Sequence, residues 1–193
     1  MKQEISPKDT SRAKAFELWM SSPMPMVTFT KTFDVTRVYR MSRQRSLKFN
    51  MLLCWCVGKA ASRIEEFYML PQHGKLYKYD RMAINVIVNN IDGGINSCDI
   101  PFTDDLDEFS TDYINLTQSA KKNCASSFQE DMMVIGTSAM TATELDCIVN
   151  QYSYCKKWLK VTLPISFQFH HVQMDGGHAA LFLEELQKVI KNI

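Results

Sequence analysis

Seven glycines and six prolines among 193 residues do not cluster anywhere into a flexible linker, so nothing cuts the chain into separate domains. No internal repeat or low-complexity tract is present either. Charge of one sign is also missing. Basic and acidic residues number 22 and 21, a net of +1, and no Lys/Arg run is long enough to grip a phosphate backbone or an anionic bilayer. No nucleic acid and no membrane partner is expected. The start, M-K-Q-E-I-S-P-K-D, lacks an apolar signal core, and no uninterrupted apolar run reaches bilayer-spanning length, which points to the cytoplasm. Six cysteines, at 54, 56, 98, 124, 147 and 155, include one C-x-C and no C-x-x-C. That spacing argues against a zinc ribbon or a thioredoxin-type redox site and for reduced, mostly buried thiols.

What is present is a composition 46% hydrophobic and 22% charged, enough for one core in a single domain over 1–193. Apolar residues at 15, 16 and 19, with a cap candidate at Asp9 or Ser11, predict a short helix ended by Pro23 and Pro25. Val27, Phe29 and Phe33 alternate with threonines, the period of a strand. Helical spacing from Ser46 to about Tyr68 predicts the longest helix. A hairpin at Gln72-His73-Gly74 leads into a strand-like run from Leu76 to Asn90, followed by a Gly93-Gly94 turn. Residues 104–122 predict an amphipathic helix with acids in its first turns, and M-M-V-I-G a strand. Alternation from Val161 through Phe169 predicts a strand whose buried side includes His171, and apolar positions from 179 to 193 a final helix. Long helices between strands indicate an α/β fold: a two-layer α/β sandwich with a mixed β-sheet and helices packed on one face.

Histidine is scarce, and its placement is uneven. Three of the four histidines fall within nine residues of F-H-H-V-Q-M-D-G-G-H-A-A, Phe169 to Ala180. A strand closing on a histidine, a turn with an aspartate and glycines, and then a helix form the arrangement H-H-x-x-x-D-G-x-H. His170, His171, Asp175, Gly176 and His178 resemble the signature of the coenzyme A-dependent acyltransferases, and within them the chloramphenicol acetyltransferase family. The spacing of Arg12, Phe16 and Glu17, the segment Phe33-Asp34-Val35-Thr36, the helix after Ser46 and the pair Ser138-Ala139 follow the order that family shows.

The resemblance implies acetyl-CoA as co-substrate and a small-molecule hydroxyl acceptor, chloramphenicol or a related compound. It implies His171 as general base and Ser138 as the donor to the oxyanion. Asp175 is implied in a structural ion pair with Arg12, and Trp19, Pro23 and Pro25 along the acceptor pocket. Relatives twice this length carry two similar halves, so a chain of one half implies a homotrimer with sites at the subunit boundaries. A neutral imidazole suits removal of a hydroxyl proton as the oxygen attacks a thioester. The family follows Ser-Ala with Pro-Trp two residues on, whereas S-A-M-T-A-T puts Thr141 and Ala142 there, and the stretch from Ser138 to His171 is shorter.

Two rival readings are weighed beside this one. A metal site from His170, His171, Asp175 and His178 has a plausible ligand set, but strand alternation turns the first two to opposite faces, so no metal is expected. A non-catalytic trimeric relative that binds a small ligand or acts as an assembly core would keep the fold without the chemistry. Met24 and Met26 are the methionines considered for a ligand pocket, and His170 and His178 are expected to be structural.

Overall fold

The computed structural model describes residues 1–139, 155–157 and 160–193, with 155–157 as backbone. Five α-helices and nine strands are described: β1 (Lys2–Ile5), α1 (Ala13–Trp19), β2 (Met26–Asp34), α2 (Thr36–Gln44), α3 (Phe49–Ala61), β3 (Met69–Gln72), β4 (Lys75–Tyr79), β5 (Met82–Asn89), β6 (Ile95–Pro101), α4 (Leu106–Asn123), β7 (Met133–Gly136), β8 (Cys155–Lys157), β9 (Lys160–His170) and α5 (Gly176–Asn192). The chain is an α/β protein in which hydrogen-bond ladders form three three-stranded sheets, ordered β1-β4-β3, β2-β9-β8 and β6-β5-β7. Pairing is mixed, because β5 runs antiparallel to β6 and parallel to β7.

The site is carried by the long antiparallel pair β2 and β9, in register from Met26 opposite His170 to Asp34 opposite Thr162. Phe33, Val161, Leu163, Ile165 and Phe169 are buried, as period 2 requires. The cross-strand partners Thr30, exposed, and Ser166, buried, meet hydroxyl to hydroxyl at 2.6 Å. Phe167 and Phe169 pack edge-on against Phe182 of α5. α5 buries Ala179, Phe182, Leu183, Leu186, Val189 and Ile190, one stripe at helical spacing. One large cluster of buried side chains joins α3, α4, α5 and the inner faces of β2, β5, β6 and β9.

α3 is apolar nearly all round and correspondingly enclosed. Gly58 sits where a Cβ would lie 2.3 Å from the Phe102 ring, so the helix and that ring approach each other across a bare backbone.

Several expectations shift. The helix foreseen from Ser46 to about Tyr68 is α3 followed by a 3-10 turn, Glu65–Tyr68. Ser46 has φ 55°, a left-handed conformation that ends α2 and excludes it from α3, and Ile64 is extended. α2, which the sequence reading does not foresee, has an apolar face on which Val38 is fully buried and Tyr39 and Met41 pack partly buried against the core. The run from Leu76 to Asn90 breaks at Asp80-Arg81 into β4 and β5, which join different sheets. β1 is polar, and its pairing with β4 holds it. α1 begins after Arg12; neither Asp9 nor Ser11 caps it, and Ser11 Oγ reaches Glu66 instead. The hairpin at His73-Gly74 is present, with both residues at positive φ as a primed turn demands.

Candidate active site

β9 ends at His170, one residue before the expected end, so His171 lies just past the strand. Its backbone still extends the ladder by one step. The His171 N–H donates to the Pro25 carbonyl at 2.6 Å, and the His171 carbonyl accepts from Arg12 Nη2 at 3.1 Å. The imidazole lies flat on the indole of Trp19, at the end of α1, with centroids 4.2 Å apart and planes 12° from parallel. Its Nδ1 is buried without a hydrogen-bond partner. The residue is thus fixed at its backbone and on one ring face, while a ring nitrogen stays uncommitted.

Arg12 organises the loop that follows. Its side chain is 3% exposed and donates three hydrogen bonds, Nε to the Val172 carbonyl at 2.8 Å, Nη1 to Asp175 Oδ2 at 3.0 Å and Nη2 to the His171 carbonyl, while Nη1 also lies 3.3 Å from His178 Nδ1. Asp175 Oδ1 accepts from the backbone N–H groups of Gly177 and His178 and so caps α5. Burial pushes the Asp175 carboxyl up. The Arg12 hydrogen bond, the His178 N–H and the nearby charges outweigh it and hold the group at about 2.

His178, on the first turn of α5, places Nδ1 2.9 Å from Asp175 Oδ1 and Nε2 3.2 Å from Glu66 Oε1. Glu66 stands in the 3-10 turn after α3 and also accepts from Ser11 Oγ at 3.2 Å. The sequence pattern offers no sign of Glu66, because an acid in Glu65-Glu66-Phe67 reads as solvated. His170 is turned to a different task. Its Nδ1 accepts from the Val172 N–H, its carbonyl accepts from Gln173 and Met174, and burial followed by the adjacent His171 lowers its pKa, favouring the neutral ring that this acceptor role needs. Gln173 is buried with Nε2 unpaired, the second such atom in this loop.

The remaining expected site residues are dispersed. Pro25 touches His171 through its carbonyl, while Pro23 is exposed, as are Met24 and Met26. Ser138 is exposed just after β7, beyond Thr137, whose N–H and hydroxyl both reach the Asn85 carbonyl. Among the described residues no hydrogen bond links Ser138 to His171, and the two follow strands of different sheets. Thr141, Ala142 and Cys147 lie outside the described residues, as does the Cys155 side chain. Cys54, Cys56 and Cys98 are buried free thiols, and burial raises the Cys54 thiol to about 12. Among the described residues no three His, Cys, Asp or Glu side chains gather where they could hold a metal ion.

The arrangement fits proton abstraction by a fixed, half-buried imidazole, supported by an arginine clamp that engages backbone carbonyls and a carboxylate. Comparison with known proteins assigns the family and the fold. The family model described as chloramphenicol acetyltransferase matches residues 3–187. Chloramphenicol acetyltransferase 3 of Escherichia coli is 20% identical over 200 residues, covering 94% of this chain and 93% of that protein. A chloramphenicol acetyltransferase of Clostridium perfringens is 23% identical over 208 residues, covering 98% and 99%. A solved chloramphenicol acetyltransferase superposes with a TM-score of 0.84 at 18% identity, covering 98% of this chain and all of the other, which establishes the fold.

Proposed function

The chain belongs to the chloramphenicol acetyltransferase family and is an acyltransferase, and on that premise we propose that 1–193 acts as one domain moving the acetyl group of acetyl-CoA onto a hydroxyl of a small molecule. The observation that carries this reading is the His171 imidazole, stacked on Trp19 with its backbone held on both sides. His171 takes the acceptor's hydroxyl proton as the oxygen attacks the thioester carbonyl. The tetrahedral intermediate collapses, expelling the coenzyme thiolate, which recovers the proton from the imidazolium. No covalent acyl-enzyme is needed, because both substrates meet in one ternary complex. Ser138 donates to the oxyanion, a contact worth about 3 kcal/mol of barrier.

His171 and Ser138 follow strands of different sheets and share no hydrogen bond among the described residues, which favours sites completed between copies in a homotrimer. Trp19, Pro23 and Pro25 border the acceptor's side of this site. No helix among the described residues is long and apolar enough to cross a membrane, which accords with catalysis in the cytoplasm.

The test is release of free thiol from acetyl-CoA with a panel of hydroxyl acceptors, chloramphenicol among them. Wild-type protein turns over at least one acceptor, and His171→Ala and Ser138→Ala lower kcat by about a hundredfold or more. Unchanged turnover by His171→Ala would remove the base from this scheme. A monomer in sedimentation at working concentration, still fully active, would remove the shared site.

A further inference from the structure

We propose that Asn85 is a specificity-determining residue of the acceptor site, its side-chain oxygen taking a hydrogen bond from a second donor, a hydroxyl or an N–H, carried by the alcohol that is acetylated. The inference rests on the acetyl-transfer reading given above.

One face of the β6-β5-β7 sheet turns away from the core. Register partners share a face, so Asn85 and Ile87 of β5 stand with Asp99 and Ser97 of β6, and Asn85 with Gly136 of β7. Ile84, Val86, Cys98, Ile100 and Met133 are buried on the opposite face. Thr137 belongs to that core side, with its hydroxyl 3.8 Å from the buried Cys54 thiol, and alternation returns Ser138 to the face of Asn85. The Asn85 carbonyl also accepts from the N–H and the hydroxyl of Thr137, at 2.9 and 2.8 Å. Asn85 thus anchors the segment that bears the donor to the oxyanion.

The Asn85 amide is held in one orientation. Nδ2 donates to Ser97 Oγ and to Asp99 Oδ1, each at 2.6 Å, which uses both of its hydrogens. Asp99 is 2% exposed, and its Oδ2 accepts from the Gln129 N–H at 2.8 Å. A carboxylate only accepts, so the amide atom facing it is the nitrogen and the oxygen is left over. Among the described residues Oδ1 has no hydrogen-bond partner, and the buried unpaired side-chain atoms are those of His171 and Gln173, so Oδ1 meets solvent. The Asp99 charge behind the amide polarises it and strengthens Oδ1 as an acceptor.

Gly136 leaves room beside it, because a Cβ there would stand in open space. A fixed, unpaired acceptor therefore borders a recess on the face that carries Ser138. A ligand group that only accepts would take the water from Oδ1 and give nothing back, whereas a donor replaces that water. The alcohol selected is one with a second hydroxyl or an N–H close to the reacting hydroxyl.

Thiol release from acetyl-CoA is measured with three matched alcohols: styrene glycol, its benzylic O-methyl ether and phenethyl alcohol. Wild type shows kcat/KM about tenfold higher for the glycol than for the other two. Asn85→Ala brings the three within about twofold of one another, with KM for acetyl-CoA little changed and the sedimentation coefficient of wild type. Ser97→Ala, in which Asp99 still holds the amide, keeps most of the preference. The wild-type comparison depends on no variant, and equal kcat/KM for the three alcohols overturns the proposal. A glycol preference that survives Asn85→Ala does so too, as does a smaller particle on sedimentation of that variant, which would assign the amide to a second copy. If none of the three is turned over, calorimetric titration of styrene glycol decides. Binding that Asn85→Ala weakens about tenfold keeps the site, and no binding, or binding that the variant leaves unaltered, removes it. Failure of wild type to turn over any acceptor, chloramphenicol included, sinks the acetyl-transfer reading, and the titration still settles the role of Asn85.

Discussion

The indole of Trp19 and the imidazole of His171 lie face to face, 4.2 Å between centroids and 12° between planes. They come from opposite ends of the chain, and their stack limits how the imidazole can turn. Such a pair is worth about 1 kcal/mol beyond its buried area.

Trp19→Ala is therefore expected to lower kcat about fivefold, and Trp19→Phe, which keeps a ring, to stay within about twofold of wild type. Steady-state kinetics with acetyl-CoA and a competent acceptor check this. A rise in acceptor KM alone would instead give Trp19 the role of a pocket wall.

Arg12 is buried and serves three carbonyl or carboxylate acceptors at once. Arg12→Ala leaves those groups unpaired and is expected to cost about 3 kcal/mol in urea unfolding. Arg12→Lys should recover little, because an ammonium cannot reproduce a planar fork. Asp175 is half exposed, so water and the two backbone donors partly replace Arg12 when it is lost, and Asp175→Asn should cost less, about 1 kcal/mol.

Stability should respond to acid through Asp175. Its carboxyl is held at about 2 in the folded protein, below the ordinary value of 3.8. The charged form is thus favoured by folding. The contribution is complete above the ordinary value, declines as pH falls below it, and is gone beneath about 2. Thermal melts of wild type and Asp175→Asn should differ at neutral pH and converge between pH about 4 and about 2. A gap that persists at the acidic end would place the effect elsewhere.

Gly58→Ala improves helix propensity by about 1 kcal/mol in isolation, yet here it should destabilise. The new methyl meets the Phe102 ring near its stem as well as its edge, so the whole ring must move, at a net cost of about 1–2 kcal/mol in chemical denaturation. Gly58→Ala combined with Phe102→Leu should recover part of the loss.

The parts of this molecule legible in the sequence are those whose signal is local. The strand from Met26, the hairpin at His73-Gly74, the helices after Asp105 and Asp175 and the histidine loop each declare themselves within a dozen residues. α2 is amphipathic, with Arg37, Arg40 and Arg43 exposed and Val38, Tyr39 and Met41 packed on the core, but nine residues give that period too few repeats to stand out in the sequence. The division of the run after Leu76 between two sheets follows from which partner strands arrive, a long-range fact that periodicity does not carry. The ion pair of Arg12 with Asp175 was reached through family resemblance and is present at 3.0 Å. Glu66 had no such route, since its contact with His178 is made across the fold.

The Arg12 clamp also has a meaning for the order in which the protein is made. Its acceptors lie 159 to 163 positions further along the chain. During synthesis on the ribosome the guanidinium emerges first and waits, solvated, while nearly all the rest is translated. A chain that ends before His171 lacks the three acceptors of the clamp and all of α5, so it holds no seated base, and catalytic competence arrives as a late event of synthesis.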